Sequence, residues 1–329
     1  EISGGPGGAC LPTRLDDVIV DAASFPASGD TMELNFVPGV VDRDDPAPVC
    51  RSFDARALAV RNRMNGYSLE VYSSCFLADS IDWEVINLNL YGSGTHDLVT
   101  KECNLPGLSF YGIGDYFLSD SLIAPLCDID MYDGTFNTAG FKVHVEDIHL
   151  RNSRSGLTTT TWDISTSQVT LSSGLFAVWM ISEAEAVIRS DEGGKLILTG
   201  RDPYLWMNSS IDGLDVEFIN SVDNGGVDII TLSPGRPAGR FGTIHFRGDG
   251  NLQGPIVTDS LLLTKGFAYR VEELPVPFTI REQLVAVGTA CNPISIQALR
   301  LGGMAAINLV TGAAAAMAYV RLDRVNAVG

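Results

Sequence analysis

The chain has 329 residues, with 40 acidic residues against 22 Lys and Arg, a formal charge of −18. Only 19% of residues are charged and 45% are hydrophobic, where an average globular chain carries about 25% charged residues. The apolar content excludes a disordered chain, and the missing basic footprint excludes a nucleic-acid binder.

In chain order, the sequence begins at Glu1 rather than Met and reads as a processed product. The opening Gly4-Gly5-Pro6-Gly7-Gly8 is expected to be pinned against another subunit. Val18–Val20 and Glu33–Val37 read as short strands, and Asp42–Pro48 as a charged, Pro-rich loop. Ser52 precedes Phe53–Met64, where Ala55, Ala57, Leu58 and Ala59 favour helix. Asn65-Gly66 supplies the matching stop signal, so one short helix is predicted here. Residues 1–66 read as an N-terminal attachment or capping region.

From residue 67 to 282 the pattern changes to short alternating runs separated by turn residues. Glu84–Leu90, Phe141–Val145, Lys195–Leu198, Leu214–Phe218 and Gly242–Phe246 are examples. Leu175–Arg189 is balanced between helix and strand. Glycines recur at 92, 114, 134, 156, 174, 194 and 213, roughly every twenty residues, a period in the range of stacked repeats. Stacked short strands with Gly, Asn and Asp at the turns fit this composition. About ten turns of chain at ~4.8 Å per strand predict a rod of roughly 50 Å.

Six cysteines occur, at 10, 50, 75, 103, 127 and 291, with no CxxC pair and so no zinc spacing. The middle four are spaced 25, 28 and 24 residues apart, which would suit one position in a repeat; the preferred reading is small buried thiols in a core, and no disulfide is assigned.

The last segment, 283–329, carries three arginines and one aspartate, a net +2, which leaves 19 basic and 39 acidic residues, −20, for the rest. Leu301–Val320 is uncharged. Its Gly, Asn and Thr dilute it as a membrane span; burial between subunits is the preferred reading, because such a surface is costly to expose. Leu301, Ile307, Leu309, Val310, Met317 and Tyr319 are the oligomerisation residues expected, and Tyr319–Leu322 reads as a strand.

The runs Ile129–Phe136, Val145–Ser153 and Gly213–Asn220 resemble those of right-handed parallel β-helix proteins, especially virus and phage tailspikes, fibres and decoration proteins. The likeness is one of pattern and covers about two thirds of the chain. It implies an attachment region (1–66), a β-helix body (67–282) and a C-terminal trimerisation region (283–329).

Carboxylates are the only plentiful reactive groups. A glycosidase needs two of them flanking a sugar, and Glu146, Asp147, Glu183, Glu185, Asp215 and Glu217 are the candidates. Trp162, Trp179, Trp206 and Tyr204 are candidate sugar-stacking rings. The plainer reading is preferred: solvated outer-face acids and subunit-contact rings. His96, His144, His149 and His245 make no metal motif, and no G-x-S-x-G or P-loop occurs. The string at 128–134 is a weak calcium-loop likeness without the EF-hand spacing. Asn208-Ser209-Ser210 is a sequon of little weight. No cofactor and no metal is implied.

The leading expectation is a structural virion protein: a spike, fibre or decoration subunit that assembles as a homotrimer. Its partners would be itself, other virion proteins and host surface polysaccharide, with no nucleic acid and no membrane span. The alternatives are a polysaccharide depolymerase or lyase of tailspike type and a jelly-roll capsid shell subunit with antiparallel strands.

Overall fold

The computed structural model describes residues 12–22, 24, 29–33, 48–58, 61–151, 159–173, 178–181, 186–190, 193–200, 203–207, 211–219, 228–232, 240–300 and 302–328. Outside this set lie the opening glycines, Cys10, most of the Glu33–Val37 run, the loop at 42–47, Glu183, Glu185, the sequon at 208–210 and Leu301. The described residues form thirty-one strands and no helix. Every strand pairing is parallel, so the antiparallel strands of a jelly-roll subunit do not fit this chain.

The strands fall into three ladders, which the chain visits in turn. The first runs through 52–54, 75–76, 95–99, 115–118, 135–137, 160–163 and 186–189, and ends at Val325–Val328. The second includes 62–66, 81–85, 122–124, 143–145, 168–171, 195–198, 215–218, 243–246, 260–263 and 283–287, and ends at Ala314–Ala318. The third passes through 68–71, 87–90, 107–110, 128–131, 148–151, 178–181 and 204–207, and ends at Val320–Asp323. On the third ladder Leu69, Leu88, Leu108, Ile129 and Ile148 are in register. Their spacing of 19 to 21 residues is the period that the glycines signalled.

Alternation along each strand sends one set of side chains inward. Tyr116, Phe136, Trp162 and Ile188 are register neighbours on the first ladder and are fully or almost fully buried. On the second ladder Phe218 and Phe246 stack at 4.7 Å. Each buried ring or aliphatic chain contributes about 1.5–3 kcal/mol from lost water contact. Cys50, Cys75, Cys103 and Cys127 are buried free thiols in this interior, and Cys291 is an exposed one.

The predicted helix over Phe53–Met64 is replaced by strands Ser52–Asp54 and Asn62–Val71. Asn62 and Met64 face inward while Arg63 is exposed, which is period two rather than 3.6. Pairing of this strand with Ile81–Leu90 overrides the alanine propensity, a weak preference worth a few tenths of a kcal/mol per residue. Strands Asn62–Val71 and Phe278–Val287 also run across the divisions at 66/67 and 282/283, so the ladders continue through both. Within Leu175–Arg189 the described parts are strands, Val178–Ile181 and Ala186–Arg189. Among the described residues no helix is long and apolar enough to cross a membrane.

Tight corners join the third ladder to the first. A Cβ on Gly112 would lie 2.1 Å from the Gly92 carbonyl oxygen, and one on Gly134 would lie 2.4 Å from that of Gly114. Backbone rests directly on backbone here, and Gly134 in addition takes φ +76°, which favours glycine.

Candidate functional site

The outer surface of the third ladder gathers more chemistry than any other described surface. In strand Leu122–Met131 the interior takes Ile129 and Met131, which turns Asp128 and Asp130 outward. In strand Val143–Arg151 the interior takes Ile148 and Leu150, which turns Asp147, His149 and Arg151 outward. The register sets Asp128 beside Asp147 and Asp130 beside His149. Glu146 lies at the bend between the second and third ladders, half-buried.

Asp130 accepts a hydrogen bond from Arg151 Nε at 2.6 Å and faces His149 Nδ1 at 3.2 Å. Burial pulls its carboxyl upward, but the hydrogen bonds from His149 and Arg151 and the arginine charge outweigh this and hold it below the ordinary value. Asp147 goes the other way. Burial pushes it up to about 6, and the neighbouring Asp128 and Glu146 charges add to that, against a hydrogen bond from Ser173. Its Oδ1 is buried without a hydrogen-bond partner. Asp128 is also raised, by burial first and then by Glu146. Neighbouring carboxylates with oppositely shifted pKa values are how acid and base roles are divided.

A column of rings borders this patch. Tyr72, Tyr91, Tyr111 and Tyr132 each follow the last inward residue of a third-ladder strand, and their rings stack at 5.3, 5.0 and 4.5 Å. The next residue in the column is Arg151, whose guanidinium lies 5.7 Å from the Tyr132 ring centre. Arg151 therefore closes the aromatic column and clamps Asp130 at once. Stacked faces are occupied by each other, so the column acts as a rigid spine.

The sequence-derived candidates divide between ladders. Asp147 and Glu146 belong to this patch. Further along the same ladder His149, Trp179 and Trp206 are in register, and Tyr204 and Trp206 are turned outward, half-buried; the Trp179 side chain lies outside the described residues. Trp162 is a correction. It is 0% exposed in the first-ladder stack and offers no ring to a sugar or to another subunit. The reason is parity, since it sits in register with the inward Phe136 and Ile188.

Asp215 and Glu217 lie on the second ladder, away from Asp147. Asp215 accepts the Thr243 backbone N–H at 2.6 Å. Glu217 is buried and ion-paired with Lys195 and Arg247, with His245 Nδ1 at 3.4 Å. Burial raises its carboxyl, yet the bonds from Lys195 and Arg247 bring it below the ordinary value, which suits a structural anion and not a proton donor. The calcium likeness also dissolves, because Asp133 is buried at the corner while Asp128 and Asp130 turn outward. Among the described residues no three His, Cys, Asp or Glu side chains converge on a metal position.

The tyrosine column and the His149–Asp130–Arg151 contact were not read from the sequence. The signal for the column was present: Leu-Glu-Val-Tyr72, Leu-Asn-Leu-Tyr91, Leu-Ser-Phe-Tyr111 and Ile-Asp-Met-Tyr132, continued by Ile-His-Leu-Arg151. No protein-family model, no curated protein and no solved structure matches the chain.

Proposed function

We propose that this chain is a right-handed parallel β-helix that serves as a structural virion protein, a spike, fibre or decoration subunit assembling as a homotrimer. The observation that carries this reading is the continuity of three parallel ladders around one buried interior, with no helix among the described residues. The ladders are then the faces of a stiff rod. Thirteen third-ladder strands at ~4.8 Å give a length of about 60 Å. A net charge of −18 keeps such rods soluble and apart, and the uncharged C-terminal region is where copies meet.

Exposure in that region supports the assembly. Val310, Met317 and Tyr319 are 41%, 44% and 62% exposed. Leu309 is half-buried against the interior. Ile307 is a correction to the oligomerisation set, because it is buried as an inward residue of the first ladder. The rod would attach to other virion proteins, and its acidic, aromatic third face would meet host surface polysaccharide. Electron microscopy with proteomics of purified particles tests this. A rod of about 60 Å and a stoichiometric band are expected; a brick-shaped particle or absence from virions would overturn it.

A second reading has one observation in its favour. Asp130 and Asp147 are outward neighbours on adjacent strands, and their carboxyls are shifted in opposite directions. An inverting glycosidase pairs a carboxyl of raised pKa as acid with an ionised one as base. Asp147 would protonate the leaving oxygen and Asp130 would activate water. Release of reducing ends from capsular or O-antigen polysaccharide, lost in Asp147→Asn and Asp130→Asn, is the expected result for a depolymerase; no release from a broad panel would sink that reading.

A further inference from the structure

We propose that the outer face of the second ladder over its last three strands is the surface through which copies of this chain pack side by side, an inference that rests on the homotrimer reading. Three successive strands present Ser260 and Leu262; Gln283, Val285 and Val287; and Ala314, Ala316 and Ala318. Their register places these eight residues in a grid of three rows, Ser260–Gln283–Ala314, Leu262–Val285–Ala316 and Val287–Ala318. None carries a charge, although the whole chain carries −18. Leu262 and Val285 are half-buried, Val287 is 48% exposed, and the alanines present only methyl groups.

Charge selects the occupant. Copies of a strongly acidic chain repel one another wherever their carboxylates face. One step before the grid the same ladder presents His245 and Arg247 around Glu217, and its border with the first ladder holds the exposed Arg281 and Glu282. The grid is thus an uncharged centre with a charged rim, the composition expected of a protein–protein contact. Small side chains allow two sheet faces to approach closely. The alanines lie on the terminal strand and Val310 stands at the adjoining corner, so the surface is continuous with the exposed apolar end. The inward residues of that end belong to a different surface, because Ala315 and Met317 are in register with the buried Leu284 and Ala286.

The test is the mass of the full chain in solution, measured by sedimentation equilibrium across a wide concentration range. The unaltered chain is expected at three times the monomer mass. Val285→Glu and Ala316→Glu are each expected to fall to the monomer mass, while Thr170→Glu, an outward position lower on the same ladder, stays trimeric. Ala316 is on an exposed strand, so its variant decides if Val285→Glu loses its β-sheet circular dichroism. A trimer that survives Ala316→Glu overturns this surface and leaves the assembly reading standing. A monomer at every concentration overturns both.

Discussion

Two carboxylate-bearing patches on the outside of this chain follow opposite rules. Around Glu217 one buried acid is surrounded by Lys195, Arg247 and His245, and its proton affinity falls. In the patch around Asp147 four acids (Asp128, Asp130, Glu146 and Asp147) share one arginine, and Arg151 is committed to Asp130. Burial raises Asp128 and Asp147, Glu146 adds to both, and Asp128 adds to Asp147. Burial acts in the same direction at both places; the local ratio of cations to anions decides the outcome. A patch with surplus cations locks neighbouring strands together. One with surplus anions stores protonatable groups at the surface, at a cost in stability, and is the better place to look for chemistry.

Breaking the first patch should have the largest effect. Glu217→Gln leaves Lys195 and Arg247 without their anion. Because those side chains are 43% and 54% exposed, water takes up part of the loss, and a destabilisation of about 2 kcal/mol is expected in urea unfolding. An unchanged midpoint would mean that the cluster contributes nothing. Arg151→Ala should cost about 1–2 kcal/mol, since it removes both the Asp130 partner and the cation over Tyr132. It should also raise the Asp130 titration midpoint seen by carboxyl NMR, an effect that mere loss of packing would not produce.

The second patch should respond in the opposite direction. The folded Asp147 carboxyl is raised from 3.8 to about 6, so the folded state holds its proton where the unfolded chain has lost it. Its penalty is absent below about pH 4, grows between pH 4 and 6 and is complete above pH 6. Fully sheltered, such a shift would be worth about 3 kcal/mol; partial exposure reduces it to about 1 kcal/mol. Asp147→Asn should therefore stabilise the chain by about 1 kcal/mol at pH 7.5 and leave it unchanged at pH 4. Equal stabilisation at both pH values would show that the charge is not the cause. Glu217, with its lowered carboxyl, should show the reverse: its stabilisation is lost as pH falls. The smallest change is expected from Tyr132→Leu, about 0.5–1 kcal/mol, from loss of one ring stack and the ring beneath Arg151; a near-UV signal from the tyrosine column should fall with it.

Much of the architecture was legible because strand alternation and turn glycines are local signals. The twenty-residue period, the runs at Glu84–Leu90 and Leu214–Phe218, and the strand at Val320–Asp323 all came from such local patterns. Phe53–Met64 was misread because helix propensity there conflicts with a pairing to residues distant in sequence. Trp162 was misread because a ring that suits a sugar also fills an interior, and only the register distinguishes the two. The site itself was half legible. Glu146 and Asp147 were visible as acids, but their meaning depends on Asp128 and Asp130 one turn of chain earlier. Nothing in a single sequence places residues 130 and 149 side by side until the period is known to the residue.

The glycine corners also carry a consequence for engineering. Where backbone rests on backbone, as at Gly112 on Gly92 and Gly134 on Gly114, the chain crosses from Phe110 to Asp115 and from Met131 to Thr135 in a few residues. Between Arg151 and Thr160 the same crossing takes eight intervening residues. The same step from third to first ladder is thus made with three intervening residues at Met131–Thr135 and Gln253–Val257 and with eight at Arg151–Thr160. A peptide spliced beside Gly112 should therefore stop the chain from folding.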